Sequence, residues 1–455
     1  MCFISSQVIL VVTPEFMPVA VPNLSLLAVN LTRRCNLACA HCYLDAKTLR
    51  QGDEDELSTS EVQALLDDVA ALGHGTMVVL TGGEPLVRKD LETLIRHGSA
   101  LGLPMVVGTN GMLLSERRVG SLKNAGVLGL GISLDSLDPD CHDRFRGQKG
   151  AWAKTMAGIE RCRRNGVDFQ LHFSVTDDNA HELPAMIEFG QSCGARAINV
   201  FFLVCVGRAQ SIITLTPERY ENILVDLIQA QADYPGLIVR PRCAPHYKRI
   251  AYQLQPQAAI NRISGHEADG CIAGVHYARV NHRGGVTACP YIEQEVGNIR
   301  EAAFSEFWTD AEDFALLRSA SLSGKCGVCE YRMLCGGCRA RPLAKGGGLM
   351  DADDLCVYEP RGQAPVYPLE NLVKNTPHWS TNAEQRLSRV PGFLRQMVKK
   401  RAEAYVSGLG EDRVTSQHMS DMAIARFGSA GPPKSFEDRP VSKSEPEPEP
   451  EPDKA

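Results

Sequence analysis

Residues 26–43 read Leu26-Leu27-Ala28-Val29-Asn30-Leu31-Thr32-Arg33-Arg34-Cys35-Asn36-Leu37-Ala38-Cys39-Ala40-His41-Cys42-Tyr43. A mostly apolar run of strand length ends at Leu31, and a loop with three cysteines in C-x3-C-x2-C spacing follows at once. Apolar runs of the same kind recur at Met77–Thr81, Pro104–Gly108, Leu128–Leu134, Phe169–Val175 and Ile198–Val204. Between them lie amphipathic stretches such as Ser60–Leu72, Lys89–Leu101 and Leu183–Cys193, each long enough for a crossover helix. Six strand–helix units in series predict an α/β fold with a parallel sheet and helices outside it. A closed eightfold barrel usually takes about 250 residues. Residues 25–241 therefore predict a partial (β/α)6 TIM-type barrel. In such folds function sits at the C-terminal ends of the strands, which is where the cysteine loop falls.

The whole chain has 455 residues, 44% hydrophobic and 22% charged, which is close to average globular usage and excludes a fibrous or wholly disordered protein. Acidic residues outnumber basic ones 54 to 48, for a net charge of −6, which argues against a strongly basic nucleic-acid binder. No apolar run is long enough to span a membrane. Val8–Val12 is a brief apolar stretch without a basic flank or a clear cleavage site, so no signal peptide is expected, and Met17 is a second candidate start. The 16 cysteines are too unevenly spread in too long a chain for a disulfide scaffold. Most fall in groups with metal-ligand spacing, which suits a reducing, cytoplasmic compartment.

Residues 242–362 lose the strand–helix alternation and become rich in Cys, Gly and turn residues. Residues 363–428 turn helical and basic, with Arg386–Arg389, Phe393–Val406 and Thr415–Phe427 as candidate helices. Residues 429–455 collapse into Pro, Glu, Lys and Ser, with almost nothing to bury, and predict a disordered tail. Residues 1–24 form an N-terminal extension.

Cys35, Cys39 and Cys42 can wrap a four-iron cubane from one side and leave one iron open to a non-protein ligand. A zinc site completed by His41, or merely structural cysteines, are the alternatives at this point. Thr81-Gly82-Gly83-Glu84-Pro85 follows the second strand, where two glycines allow close approach of a ligand and exposed carbonyls with Glu84 can accept from an ammonium.

With these elements together, residues 26–241 resemble the radical S-adenosylmethionine (SAM) superfamily. The resemblance implies a [4Fe-4S] cluster on Cys35, Cys39 and Cys42 whose open iron chelates SAM. It also implies generation of a 5′-deoxyadenosyl radical that abstracts a substrate hydrogen. Tyr43 fits the usual pattern after the third cysteine. By resemblance Gly82, Gly83, Glu84 and Pro85 hold the SAM amino group and Ser133 touches SAM. Arg146 pairs with the SAM carboxylate in that scheme, with Arg144 the competing candidate. Gly207 is a weak match to the backbone that meets adenine. A reduced flavodoxin- or ferredoxin-type protein would supply the electron.

Beyond Cys141, and beyond Cys162, Cys193 and Cys205, for which three packing roles are expected, the cysteines are Cys243, Cys271, Cys289, Cys326, Cys329, Cys335, Cys338 and Cys356. The pairs Cys326-x2-Cys329 and Cys335-x2-Cys338 also look like zinc knuckles. The stretch resembles a SPASM extension, which typically carries two auxiliary four-iron clusters. Carried over, Cys326, Cys329, Cys335 and Cys356 hold the outer cluster, and Cys271, Cys289 and Cys338 hold the inner one. Cys243 completes the inner set, or else one iron there stays open.

Among such enzymes this chain resembles the branch that makes heme d1 and heme from siroheme-derived acids. The likeness lies in Cys243-Ala244-Pro245-His246-Tyr247, Gly270-Cys271-Ile272-Ala273-Gly274 and Cys289-Pro290-Tyr291. The segment from Trp379 through Val390-Pro391-Gly392-Phe393 to Tyr405 resembles the small domain ending one subunit of protochlorophyllide reductase. A tetrapyrrole substrate is implied, modified at a carboxylate side chain by decarboxylation or side-chain loss. Arg240, Arg242, Arg339 and Arg341 are candidate carboxylate partners, and His246 a candidate metal ligand or donor. The rival reading is a maturase of a ribosomal peptide. The 25 residues before the first strand are too few for the peptide-binding domain such enzymes often carry.

Overall fold

Each of the six apolar runs becomes a strand: β1 (Leu26–Asn30), β2 (Met77–Thr81), β3 (Met105–Thr109), β4 (Gly129–Ser133), β5 (Phe169–Val175) and β6 (Ala197–Phe202). Helices α1 (Thr59–Ala71), α2 (Leu91–Ala100), α3 (Glu116–Ala125), α4 (Pro139–Arg146), α5 (Ala151–Arg164), α6 (Leu183–Ser192) and α7 (Pro217–Asp233) fill the crossovers. The structure is a computed structural model describing residues 21–46, 55–211, 215–234, 236–256, 270–319, 321–367, 377–390 and most of 395–427. Most of the N-terminal extension, the expected tail at 429–455 and part of the expected helix Phe393–Val406 lie outside the described residues; the described residues of that helix are helical.

Local chemistry places the helix starts. Ser58 caps α1 and Glu61 answers it in a reciprocal capping box. Asp138 accepts from Cys141 N at the start of α4, and Gly147 ends that helix in the left-handed region.

Two further strands join the sheet. β7 (Ile238–Arg242) pairs with β6, and β8 (Tyr277–Val280) pairs with β1, both in parallel. The order is β10-β9-β8-β1-β2-β3-β4-β5-β6-β7, where β9 (Gly285–Thr287) and β10 (Gly297–Asn298) continue antiparallel beyond β8. The parallel array is a partial barrel: β7 and β8 stand at its two ends and do not pair with each other. The boundary expected at residue 241 runs through β7, and the cysteine-rich extension supplies β8–β10 to the same sheet. The alternation stops in sequence because β8–β10 are linked by short turns rather than crossover helices.

The two faces of the sheet differ. On β5, Phe169, Leu171, Phe173 and Val175 are buried in the main core, while Gln170, His172 and Ser174 alternate to the other face. Register carries that inner face around the sheet: Asn30 aligns with Thr81, Gly108 with Gly131, Ser133 with His172, and His172 with Asn199. Asn199 aligns with Arg240, Phe201 with Arg242, and Ala28 with Arg279. An ordinary barrel interior is filled with branched apolar side chains. Here the inner face mixes polar and apolar side chains, and Gly131 leaves space that His172 occupies, since a Cβ there would lie 2.4 Å from the imidazole.

Residues 378–427 have a core of their own, with Ala383, Leu387, Ala402, Val406, Val414 and Met419 buried together. Helices Thr381–Ser388 and Ser416–Phe427 accompany a short parallel pair, β11 (His378–Trp379) and β12 (Arg413–Val414). The expected helix at Arg386–Arg389 is the end of a longer one. The two-residue strands are too short to leave a period in the sequence.

Candidate active site and cysteine clusters

The cysteine loop leaves the C-terminal end of β1. Cys39 is buried, and Cys35 and Cys42 are half-buried beside it, packed with Leu37, Met112 and Ala151. Backbone N–H groups reach two of the sulfurs: Leu37 N donates to Cys35 Sγ and Ala46 N to Cys42 Sγ, each at 3.4 Å. Burial first, with Glu84, Cys39 and Cys42 adding to it, pushes the free thiol of Cys35 up to about 12. Left bare, this thiol stays protonated; a bound cation is what deprotonates such a group.

His41 does not stand beside the thiols as a free ligand. It stacks flat on Phe145, with ring centroids 4.3 Å apart, and burial lowers its imidazole to about 4. Among the described residues no three His, Cys, Asp or Glu side chains converge closely enough for a single metal ion. The three thiols, their N–H donors and Arg146, whose Nη1 reaches Cys39 Sγ and whose buried Nε has no hydrogen-bond partner, fit a larger anionic group.

Gly82-Gly83-Glu84-Pro85 lies directly against the chain entering the cysteine loop. Gly83 N donates to Thr32 O (2.7 Å) and Glu84 N to Arg34 O (2.9 Å). A Cβ on Gly82 would lie 2.6 Å from Thr32 O, and one on Gly83 2.2 Å from Arg34 O. Both glycines are thus required by contact with the chain entering the cysteine loop. Glu84 is likewise fully buried rather than exposed. Its carboxylate accepts from Thr109 Oγ1 and Asn110 N at 2.8 Å and from Leu86 N at 3.0 Å, tying the ends of β2 and β3 together. Pro85 begins a 3-10 turn over residues Pro85–Val87. Gly207 serves a similar end, since its Cβ would sit 2.7 Å from Cys42 O and Tyr43 O.

Ser133 ends β4, and Asp135 lies just beyond it. Asp135 is buried and pairs with Arg146 Nη2 at 2.5 Å. Arg146 also reaches Cys39 Sγ through Nη1 at 3.7 Å, which keeps it beside the cysteine loop. Burial opposes ionisation of Asp135, but the neighbouring Arg146 outweighs it and holds the carboxyl below its usual range. Arg144, the competing candidate, is exposed and turns to Cys141. Tyr43 donates to Asn30 Oδ1 at 3.4 Å and meets Tyr291 edge to face, with centroids 5.5 Å apart.

Tyr291 leads to a second set of thiols. Cys289 is raised well above its ordinary value, first by burial and then by Cys243, Cys338 and Cys271 around it. Cys243 bonds with the Tyr291 side chain and adopts a left-handed backbone, φ 58°, unusual for a residue with a Cβ. A third set surrounds a cleft lined by Cys326, Cys329, Cys335 and Cys356, with His246, Arg249 and Lys325 at its margin. Burial first, and then Cys356 and Cys326, raise Cys335 well above its ordinary value. All described cysteines are free thiols.

Between the second and third sets runs a buried polar network. Asp353 accepts from Cys338 N (2.7 Å) and pairs with Arg341 Nη1 (2.5 Å). His246 lies 3.7 Å from Asp353 through Nε2 and shares a 2.8 Å hydrogen bond with Tyr220 through Nδ1. Arg341 also donates to Cys243 O. These placements correct two readings. His246 is 1% exposed, with burial lowering it to about 3, and supports the cysteine scaffold instead of facing a substrate. Arg339 and Arg341 are buried too, the former donating to Gly336 O and Gly337 O. Asp135 and Asp353 had no role in the sequence reading. Asp135 lies two residues beyond Ser133, which the resemblance singled out, but Asp353 sits in an acidic run that reads as solvated surface.

The chain matches the model of the radical SAM superfamily over residues 29–190. The AdoMet-dependent heme synthase of Methanosarcina barkeri is 38% identical over 341 residues, which cover 74% of this chain and 97% of that one. This chain belongs to the radical SAM superfamily. It is an enzyme of that family, with the parallel α/β core just described. The Fe-coproporphyrin III synthase of the same organism is 31% identical, over 72% of this chain and 86% of that one. The PqqA peptide cyclase of Rhizobium meliloti is 29% identical, over 79% of this chain and 94% of that one. Among solved structures, Streptococcus suis SuiB bound to S-adenosylmethionine shares the fold, with TM-score 0.60 and 16% identity over 74% of this chain and 78% of that one. Residues 379–422 match the model of the proto-chlorophyllide reductase 57 kD subunit. Among the described residues no helix is long and apolar enough to cross a membrane.

Proposed function

We propose that this radical SAM enzyme modifies a carboxylate side chain of a tetrapyrrole. The substrate half of the reading rests on one observation: the likeness to an AdoMet-dependent heme synthase runs through 97% of that relative. The peptide cyclase stands at lower identity, 29%.

Cys35, Cys39 and Cys42 would hold a [4Fe-4S] cluster, and Gly82–Pro85, Ser133 and Arg146 would hold SAM against it. When bound, these groups supply the electron and the carbon radical that the reaction needs. Cys243, Cys271, Cys289 and Cys338 would hold an inner auxiliary cluster, and Cys326, Cys329, Cys335 and Cys356 an outer one. The chain's own part is to position and to exclude water. Asp135 fixes Arg146, and Glu84 fixes the turn that abuts the cysteine loop. Removing one hydrogen atom from a propionate leaves a carbon radical. Loss of carbon dioxide and one electron then yields a vinyl group, and an auxiliary cluster held by the inner cysteine set would take up that electron. We assign residues 25–241 to the radical core, 242–362 to the auxiliary-cluster extension and 363–428 to the helical module. A flavodoxin- or ferredoxin-type donor and a cytoplasmic setting complete the reading.

The test is mass spectrometry of an anaerobic reaction of reconstituted enzyme with SAM, a reductant and a panel of siroheme-derived and coproporphyrin-type acids. The expected result is loss of carbon dioxide, or of a larger acid fragment, from one of them. A Cys39→Ala variant should form no 5′-deoxyadenosine. Formation of 5′-deoxyadenosine by wild type with every tetrapyrrole intact would instead direct the search to peptides.

A further inference from the structure

The two ends of the partial barrel carry arginines on the inner face. β7 presents Arg240 and Arg242, aligned with Asn199 and Phe201 of β6. β8 presents Arg279, aligned with Ala28 of β1. Arg242 donates through Nε to Asn199 Oδ1 at 2.9 Å, which holds it along the sheet.

Arg279 is the unusual member. It is 6% exposed, and its Nη1 donates to Pro290 O at 2.9 Å. Its Nε has no hydrogen-bond partner, and among the described residues no carboxylate pairs with it. A buried guanidinium without a counter-ion is costly, so such a group points to an anion that arrives from elsewhere. Its position says where. Arg279 is close enough to act on the phenols of Tyr43 and Tyr277. Tyr43 follows Cys42 of the first cysteine set, and Pro290 follows Cys289 of the second. The guanidinium therefore lies between the proposed radical source and the inner auxiliary site, at one edge of the unpaired gap between β7 and β8.

We propose that Arg279 is a substrate-anchoring residue that receives a carboxylate of the tetrapyrrole, with Arg240 and Arg242 forming the facing basic wall across the gap. The fork of a guanidinium matches a carboxylate with two parallel hydrogen bonds. A flat macrocycle carrying several acid groups would be gripped at its rim, which fixes which side chain faces the cysteine loop. The inference rests on the tetrapyrrole reading. Its competitor is a purely structural role, in which Arg279 straps the Pro290 loop or offsets the charge of the inner cysteine set.

The test titrates anaerobically reconstituted wild type, Arg279→Gln and Arg279→Lys with iron coproporphyrin III, and separately with its tetramethyl ester. Binding is followed in the porphyrin absorbance, and iron content and the redox potentials of the clusters are measured alongside. The expected result is a Kd for the acid raised roughly ten- to hundredfold in Arg279→Gln. Arg279→Lys should recover part of it, the ester should bind all three proteins alike, and iron content should stay unchanged. Equal affinity for the acid in wild type and Arg279→Gln overturns the proposal and leaves the tetrapyrrole reading intact. So does an equal loss for acid and ester, or a loss that tracks iron content or cluster potential. Wild type that binds neither form overturns the tetrapyrrole reading, and the anchor with it.

Discussion

Replacing Asp353 by asparagine tests whether one buried carboxylate organises the inner cysteine set. The side chain is fully buried, and asparagine keeps its shape, so no cavity opens. What changes is charge. Asp353 pairs with Arg341 at 2.5 Å, and Arg341 is 4% exposed. Its remaining contacts are Cys243 O and the face of Tyr220, 5.5 Å away. Breaking a buried pair by neutralising one partner costs about 3–5 kcal/mol, because the other charge stays behind. The amide oxygen can still accept from Cys338 N, so the loss of hydrogen bonding adds at most about 1 kcal/mol. About 3 kcal/mol is the conservative figure, which corresponds to a fall in melting temperature of roughly 4–6 °C for a cooperative unit of this size. The damage should centre on Cys338 and Cys243, which the network holds directly. Thermal melts and iron and sulfide content per chain, measured anaerobically, should both fall in Asp353→Asn. Asp351→Asn is the control, since Asp351 bonds only Gly348 N and Ser323 Oγ at the surface. A variant that melts within about 1 kcal/mol of wild type and keeps its iron would refute the reasoning.

Gly83→Ala should lose about 1–3 kcal/mol and most of its SAM cleavage, because the new Cβ meets Arg34 O at 2.2 Å; Gly120→Ala on α3 meets nothing within 4 Å and should be neutral or stabilising. Melts and 5′-deoxyadenosine yield decide between them. Arg300 and Ser58 hold the Glu61 carboxyl down to about 2 against an ordinary 4.5, so its contribution is full above the ordinary value and fades as pH falls toward the lower one. Because Glu61 is part-exposed, the contribution should be only about 0.5 kcal/mol. Urea midpoints of wild type and Glu61→Gln should therefore draw together as pH falls from about 5 toward about 2, and a constant gap would count against the assignment. Cys243→Ser should lower iron content and alter the auxiliary-cluster signal in electron paramagnetic resonance, whereas Cys205→Ser should leave both as in wild type. Equal behaviour of the two variants would remove Cys243 from the ligand set.

The sequence by itself determined what depends on neighbours along the chain. Apolar runs set off by turns marked β1–β6, because a strand buried against helices needs a continuous or alternating apolar face; β7 and β8, which complete the parallel array, were not marked. The spacing of Cys35, Cys39 and Cys42 placed three thiols on one short loop after β1, since a loop of that length cannot scatter them. Only the tertiary structure decided what depends on residues far apart in the chain. The pairing of β8 with β1 joins residues about 250 apart and draws the cysteine-rich extension into the core sheet. The Asp353–Arg341 pair, His246 and Cys243 meet through contacts spanning up to 107 residues. Gly83 was legible as a close-approach residue, but the partner, Arg34 O, is visible only once β1 and β2 lie side by side. Arg279 gave no signal in the sequence at all. An arginine in a short strand reads as surface, and its burial on the inner face follows from register, which is set by hydrogen bonding between strands.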